Sequence, residues 1–247
     1  LNFVYYLRDK YLGDDNFDIV NIDKLLNTSF LLKEFNLFKK LKLNALNNNI
    51  DEILNSTSHF TLVDKYQNVI SLTSSIESSF GSRLYTDGFF LNNQLTDFRF
   101  KTTDASGKVL KNIPQGNKRP LSSMTPTIVF KNDQPYLVTG AQGGSRIITA
   151  VLQVILNYYE FGLSPEESVY KSRYHHQWLP EHLMYESFDE EVLRNLEARG
   201  FILYQRPATY DFSNGITSSI MFEDEKLIGV SDFRSDDFLS IGINKNE

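Results

Sequence analysis

The chain of 247 residues contains no cysteine. That excludes disulfides, thiolate zinc sites and a cysteine nucleophile, and it leaves the compartment open. No stretch reaches the roughly 18 consecutive apolar residues that a membrane-spanning helix needs. Positive charge is not in excess: 25 Lys and Arg stand against 31 Asp and Glu, for a net charge of −6. No basic face is implied, so nucleic acid is not an expected partner. Internal repeats are absent as well. The opening "LNFVYYLRDKYLG" has no basic, apolar, small-residue order and so is not a signal peptide. Beginning at Leu1 rather than Met, the chain reads as a piece of something longer, from which any targeting signal has been lost.

What is present suffices for a large core. Hydrophobic residues make up 41% and aromatics 13%, with 19 Phe and 13 Tyr. Residues 1–32 show helical spacing in short pieces: Val4, Leu7 and Tyr11, then a break at "GDDN", then Leu25, Leu26, Phe30 and Leu31. Residues 33–56 are rich in Lys and Asn and read as a mobile or partly helical connector. From residue 57 the pattern changes. "HFTLVD" and "NVISLT" alternate as paired strands about "KYQN", "RLYTDGFFL" reads as a third strand turning at Asp87-Gly88, and residues 99–119 form a long polar loop. "PTIVF" and "PYLVTG" make a second hairpin joined by "KNDQ". Ile147, Ile148, Val151, Val154, Ile155 and Tyr158 lie on one helical face that ends near Gly162. Ser164, Pro165 and Glu167 form a capping box, "DEEVLRNLEARG" a further helix, and "FILYQ", "TSSIMF" and "KLIGVSD" return to strands. Strands, helices and strands again, without βαβ alternation, predict an α+β sandwich built on antiparallel sheet.

Five places offer chemistry. The first is Ser56-Thr57-Ser58, at the seam between the connector and a strand. A threonine at a chain terminus carries its own base, because a free α-amine titrates at about 7.7–8.0. An internal Thr57 would reach that state if its hydroxyl attacked the Ser56 carbonyl and water then cleaved the ester. The same triplet also suits a plain turn into a hairpin, and Asn55-Ser56-Thr57 and Asn27-Thr28-Ser29 are glycosylation sequons as well. The second is Gly143-Gly144 before the long helix, where outward amides and the helix dipole suit an oxyanion; close strand-to-helix packing explains the pair equally. The third is Asn92, Asn93, Gln94 and Asp97, suited to a polar ligand such as an amine, or to satisfying loop backbone. The fourth is Ser122 and Ser123, suited to a carboxylate or to a turn. The fifth, His175, His176 and Trp178, lacks metal-ligand spacing and reads as a packing or surface element.

Taken in order, "TSHFTLVDKYQNVISLT", "GFFLNNQLTDF", "NKRPLSSMTPTIVF", "VTGAQGGSRIITAVLQVILN" and "RYHHQWLP" resemble the small subunit of a γ-glutamyltransferase, a family of self-cleaving N-terminal-nucleophile (Ntn) hydrolases. The resemblance runs from Thr57 through "SDFRSDD", Ser231 to Asp237, while "YLRDKYLGDDNF" is similar to the end of that family's large subunit. It implies a four-layer αββα sandwich, with residues 1–56 the tail of the large subunit and 57–247 the catalytic subunit. It further implies Thr57 as nucleophile, Thr73 as its support, and Gly143 and Gly144 as the oxyanion hole. Gln94, Asp97, Ser122 and Ser123 would hold the amino-acid end of a γ-glutamyl donor such as glutathione, with water or an amine as acceptor. No metal or organic cofactor is implied, and the periplasm or exterior is the implied location. The rest of the large subunit, including the arginine that pairs with the donor carboxylate, would be the missing partner.

Three departures stand out. "SSIESSFG", Ser74 to Gly81, replaces the common "TLNTTFG", so Glu77 stands for an Asn at the donor's amino-acid end and Ser75 for a Thr near the nucleophile. A carboxylate there would meet the donor ammonium and repel its α-carboxylate. "GAQGG" replaces "GSPGG" at the rim of the oxyanion turn. Two rivals stay open: an amidohydrolase of the glutaryl- or cephalosporin-acylase kind, and a family member that never matures and acts as a scaffold.

Overall fold

The computed structural model describes residues 1–41, 55–104, 107, 109–209, 213–224, 226–235 and 239–243. Residues 42–54, about half of the expected connector, lie outside the described residues. Contacts divide the chain into two units, one from Leu1–Asp51, Gln94–Ser122 and His176–Leu183, the other from Glu52–Asn93, Ser123–His175 and Met184–Glu247.

The first unit is helical. It contains α1 (Asn2–Tyr11), α2 (Ile22–Leu26) and α3 (Thr28–Phe38). The sequence suggested one helix around Leu25–Leu31; Asn27 splits it, ending α2 and capping α3 by accepting from the Phe30 amide at 3.0 Å. α3 also runs on through Phe38 into the expected connector. Tyr6, Leu7 and Phe38 form the core, with Phe3, Tyr11, Leu31 and Trp178 packed on it. Asp14, just past α1, accepts from the Arg119 amide at 2.7 Å and from its guanidinium at 3.0 Å, and Lys118 pairs with Asp18 at 2.8 Å. These contacts anchor the end of the long polar loop to the helices.

The second unit is layered. β1 (Asn55–Val63) pairs antiparallel with β2 (Val69–Ser78). A small hairpin follows, β3 (Tyr85–Thr86) and β4 (Phe89–Phe90), so "RLYTDGFFL" is not a third strand of that sheet. Positive φ at Asp87 and Gly88, +49° and +92°, turns the chain back after two residues. β5 (Thr127–Lys131) and β6 (Gln134–Gln142) turn at Asn132-Asp133 in the same way. Next come α4 (Ile147–Ile155), which finishes in a π turn over Leu156–Glu160, and α5 (Pro165–Tyr170), which carries the expected capping box. β7 (Tyr174–His175), β8 (Leu183–Tyr185), α6 (Glu190–Ala198) and β9 (Leu203–Gln205) lead to β10 (Ile216–Glu223) and β11 (Lys226–Ser231).

The main sheet has the order β11-β10-β6-β5. One face packs on α4 and α5, where Leu137, Val154, Tyr158, Val169, Met221 and Val230 form the apolar core. The other face receives the β1–β2 hairpin. This makes a helix, a sheet and a second sheet, the αββ part of the expected α+β sandwich. The hairpin packs with its polar side inward. His59 bonds Thr73 across the hairpin at 2.8 Å, Thr61 meets Ser218 at 3.2 Å, and Ser71 donates to the Thr139 carbonyl at 3.0 Å. Phe60, Leu62, Ile70 and Leu72 face outward and are 43–48% exposed. Gly140 makes the close approach possible, since a Cβ there would lie 2.1 Å from the His59 ring.

Two outcomes follow. Gly140→Ala forces the sheets apart, so its melting temperature should fall by the equivalent of about 1–3 kcal/mol; an unchanged melting curve would contradict the packing. Burial also pushes the His59 imidazole down to about 4 from an ordinary 6.5. The unfolded chain then binds more protons between those values, so stability is whole above pH 6.5 and is lost as pH falls towards 4. His59→Gln should show a smaller loss of melting temperature across that range than the parent protein.

Candidate active site

Thr57, His59 and Thr61 alternate along the inward face of β1, and Thr57 is 7% exposed. Its neighbour on that face, His59, lies against Gly140, three residues before Gly143. Thr57 Oγ1 is 3.0 Å from Ser75 Oγ, the residue directly opposite in the hairpin register. Thr73, which the resemblance assigns as support for the nucleophile, stands opposite His59 and bonds its ring instead. The hydroxyl that reaches Thr57 is thus that of Ser75. Counting back from the Val63–Val69 pair next to the turn would have found this partner in the sequence. Ser56 belongs to β1 by its backbone; its side chain lies outside the described residues.

Just beyond this pair β2 carries a bulge. Asn55 pairs with Ser78 and Thr57 with Ser75, so Ile76 and Glu77 together stand opposite Ser56. The extra residue is accommodated at Glu77, whose φ of +74° lies in the left-handed region. Ser75 Oγ also accepts from the Glu77 amide at 2.9 Å, so one hydroxyl serves both the bulge and Thr57. Glu77 accepts from Ser78 Oγ and, at 2.5 Å, from the Asn93 side-chain amide. Asn93 braces the bulge from outside: its amide donates to the Ile76 carbonyl and its Oδ1 accepts from the Ser78 amide at 3.0 Å. The sequence marked Asn93 only as one of a polar cluster, and nothing local assigns it this bracing role.

The Gly143-Gly144 turn joins β6 to α4. Gly143 has φ +133° and Gly144 φ +59°, values that side chains disfavour. The Arg146 amide closes the turn on the Gly143 carbonyl at 3.2 Å. A 3₁₀ turn over Gly144–Arg146 leads into α4, so these backbone amides lie at the positive end of the helix dipole. In this same unit Ser123 is half-buried in the irregular stretch before β5.

Gln94, Asp97 and Ser122 belong to the other unit. Gln94–Asp97 form a 3₁₀ turn in which the Gln94 side chain donates to the Asp97 carboxylate, and the Asp97 carbonyl accepts from Asn112 at 2.7 Å. Arg8 of α1 donates to the Ser122 carbonyl at 3.1 Å and feels the Asp97 charge. Its own pKa is lowered, because burial outweighs that attraction. The fifth candidate is divided. His175 bonds Thr149 at 2.8 Å within the layered unit, while Trp178 packs edge-on against Tyr6 in the helical unit. Among the described residues no three His, Asp or Glu side chains gather as a metal site.

A family model described as gamma-glutamyltranspeptidase matches residues 1–241. The glutathione hydrolase proenzyme of Escherichia coli (strain K12) is 38% identical over 257 residues, which take in 97% of this chain and 43% of that protein. The chain therefore spans less than half the length of that relative. A mutant of Helicobacter pylori gamma-glutamyltranspeptidase has a solved chain that is 38% identical, with a TM-score of 0.64 over 72% of this chain and 99% of that one. The cephalosporin acylase of Bacillus halodurans is 22% identical with a TM-score of 0.71 over 92% of this chain and 40% of that one, a likeness of fold alone. Matching nearly end to end, the chain belongs to the gamma-glutamyltranspeptidase family.

Proposed function

We propose that the chain carries the catalytic half of an acyl-transfer enzyme that hydrolyses or transfers γ-glutamyl groups from glutathione-like donors. The observation that carries this reading is the buried Thr57 hydroxyl, hydrogen-bonded to Ser75 on the strand face that leads towards the glycine turn. Names of relatives at 38% identity support the same chemistry, four of them containing the word proenzyme.

In this scheme Thr57 Oγ1 first attacks the Ser56 carbonyl. The peptide bond becomes an ester, which frees the Thr57 amine, and water then cleaves the ester, restoring the hydroxyl and leaving a separate piece that ends in the Ser56 carboxylate. That amine, with an ordinary pKa of about 7.7–8.0, then takes the hydroxyl proton as Thr57 attacks the γ-amide of a donor. Ser75 orients the hydroxyl. The Gly143 and Gly144 amides receive the oxyanion, each such donor being worth about 10²–10³ in rate. The leaving amine departs with the proton, and water or an amine acceptor resolves the ester. The family resemblance assigns Gln94, Asp97, Ser122 and Ser123 to the donor's amino-acid end and Glu77 to its ammonium. The scheme calls on no cofactor. The exposed apolar face of β1 and β2, Phe60, Leu62, Ile70 and Leu72, suits a covering layer from the rest of the large subunit. A periplasmic or extracellular location fits this family reading, and among the described residues no helix is long and apolar enough to cross a membrane.

Intact-mass analysis of the full-length protein should find pieces that end at Ser56 and begin at Thr57. Thr57→Ala should stay uncut and lose turnover of a γ-glutamyl anilide by about 10⁴-fold or more; turnover retained in that variant rejects the reading. Glu77→Asn removes the carboxylate expected to repel the donor's α-carboxylate and better suits a positive φ. It should raise both the melting temperature and the preference for γ-glutamyl over glutaryl anilide, and a parent protein that prefers the glutaryl compound favours the acylase rival.

A further inference from the structure

A four-charge network is buried in the layered unit. Arg173, Glu186, Asp232 and Arg234 are each at most 6% exposed. Arg173 pairs with Asp232 at 2.8 Å; Arg234 bridges Asp232 at 2.9 Å and Glu186 at 2.5 Å. Such a network is a poor source of stability compared with apolar packing of equal volume. It does fix geometry, and what it grips is backbone. Arg173 Nη1 donates to the Gly215 carbonyl at 2.5 Å, and its Nη2 donates to the Val169 carbonyl at 2.8 Å and to Thr217 Oγ1 at 3.0 Å. Asp232 accepts from the Thr217 amide at 2.9 Å, which holds the start of β10 just after Gly215.

Gly215 is where this grip meets the glycine turn. Its φ is +95°, and a Cβ on it would strike Ala150 Cβ at 2.8 Å and come within 3.4 Å of the Gln142 carbonyl. A Cβ on Gly143 would lie 2.9 Å from the Gly215 Cα. Gly215 is therefore wedged between the end of β6, the glycine turn and α4, and it has no side chain of its own to keep it there. Its neighbour Asn214 is fully buried and donates to the Arg173 carbonyl at 3.3 Å.

We infer that Arg173, held by Asp232 and Thr217, is a positioning residue for acyl transfer: it fixes Gly215, and Gly215 fixes the direction of the Gly143 and Gly144 amides. This rests on the reading of those amides as the oxyanion donors. Misplacement of such a group by about 1 Å costs on the order of 10²-fold in rate. The loss falls on the transition state and spares ground-state binding.

The test uses the full-length protein with Arg173→Lys and Thr217→Val, rates being normalised to the fraction cleaved at Thr57. Three quantities are read: kcat and KM for a γ-glutamyl anilide, affinity for a boronic acid analogue of the acyl group, and affinity for glutamate. The boronate forms a tetrahedral adduct on the Thr57 hydroxyl and needs the oxyanion donors; glutamate does not. Arg173→Lys should lower kcat and boronate affinity about tenfold or more, with KM and glutamate affinity within about twofold of the parent. Thr217→Val should do the same to a smaller extent, with Thr217→Ser restoring the parent values. If Arg173→Lys does not fold, as judged by its melting curve, Thr217→Val decides alone. Folded variants that keep parental boronate affinity, or that lose glutamate binding in equal measure, overturn the role of Arg173. A parent protein that binds boronate no more tightly than glutamate overturns the oxyanion reading beneath it.

Discussion

The arrangement depends on a hairpin packed the unusual way round. β1 and β2 turn threonine, serine and histidine towards the main sheet and leave phenylalanine, leucine and isoleucine outside. A polar seam between two sheets is costly unless its groups are paired. Here the hydroxyls pair across the hairpin and across the sheets, and Gly140 removes the side chain that would hold the layers apart. That seam keeps the Thr57 hydroxyl out of bulk water and bonded to Ser75. An apolar seam would be more stable and would offer no reactive group.

Two short stretches of strained backbone lie beside the seam. One is the bulge at Ile76-Glu77, where a glutamate occupies a backbone region that asparagine or glycine tolerates better. The other is the Gly143-Gly144 turn, backed by Gly215. Each is over-determined by its surroundings: Asn93 and Ser75 hold the bulge, and the turn is closed by Arg146 and pressed by Gly215. Strained backbone persists where several contacts fix it, and here it lies next to the groups given chemical roles.

Much of this was legible in the sequence. Turns at Asn132-Asp133 and Asp87-Gly88, the capping box at Ser164 and the apolar stripe of α4 depend on local chemistry and appear where their residues call for them. The direction in which the first hairpin faces was not legible, because alternation gives a period and not a choice of side. The capping role of Asn27 escaped notice because it rests on a single side-chain hydrogen bond within an otherwise apolar-spaced stretch. The pairing of Thr57 with Ser75 rather than Thr73 needed the register, which the motif alone did not supply. The Gly215 wedge and the charges behind it are wholly non-local: Arg173 and Asp232 are far apart in sequence and meet only in the folded unit.

The account stands on Thr57 Oγ1 bonding covalently to the acyl group. Mixing the full-length protein with a γ-glutamyl anilide, quenching in acid within one turnover and mapping peptides by mass tests this most directly. The account predicts one γ-glutamyl group on the peptide that begins at Thr57, carried as a hydroxylamine-labile ester. Turnover with that peptide unmodified, or with the group on another residue, would contradict it.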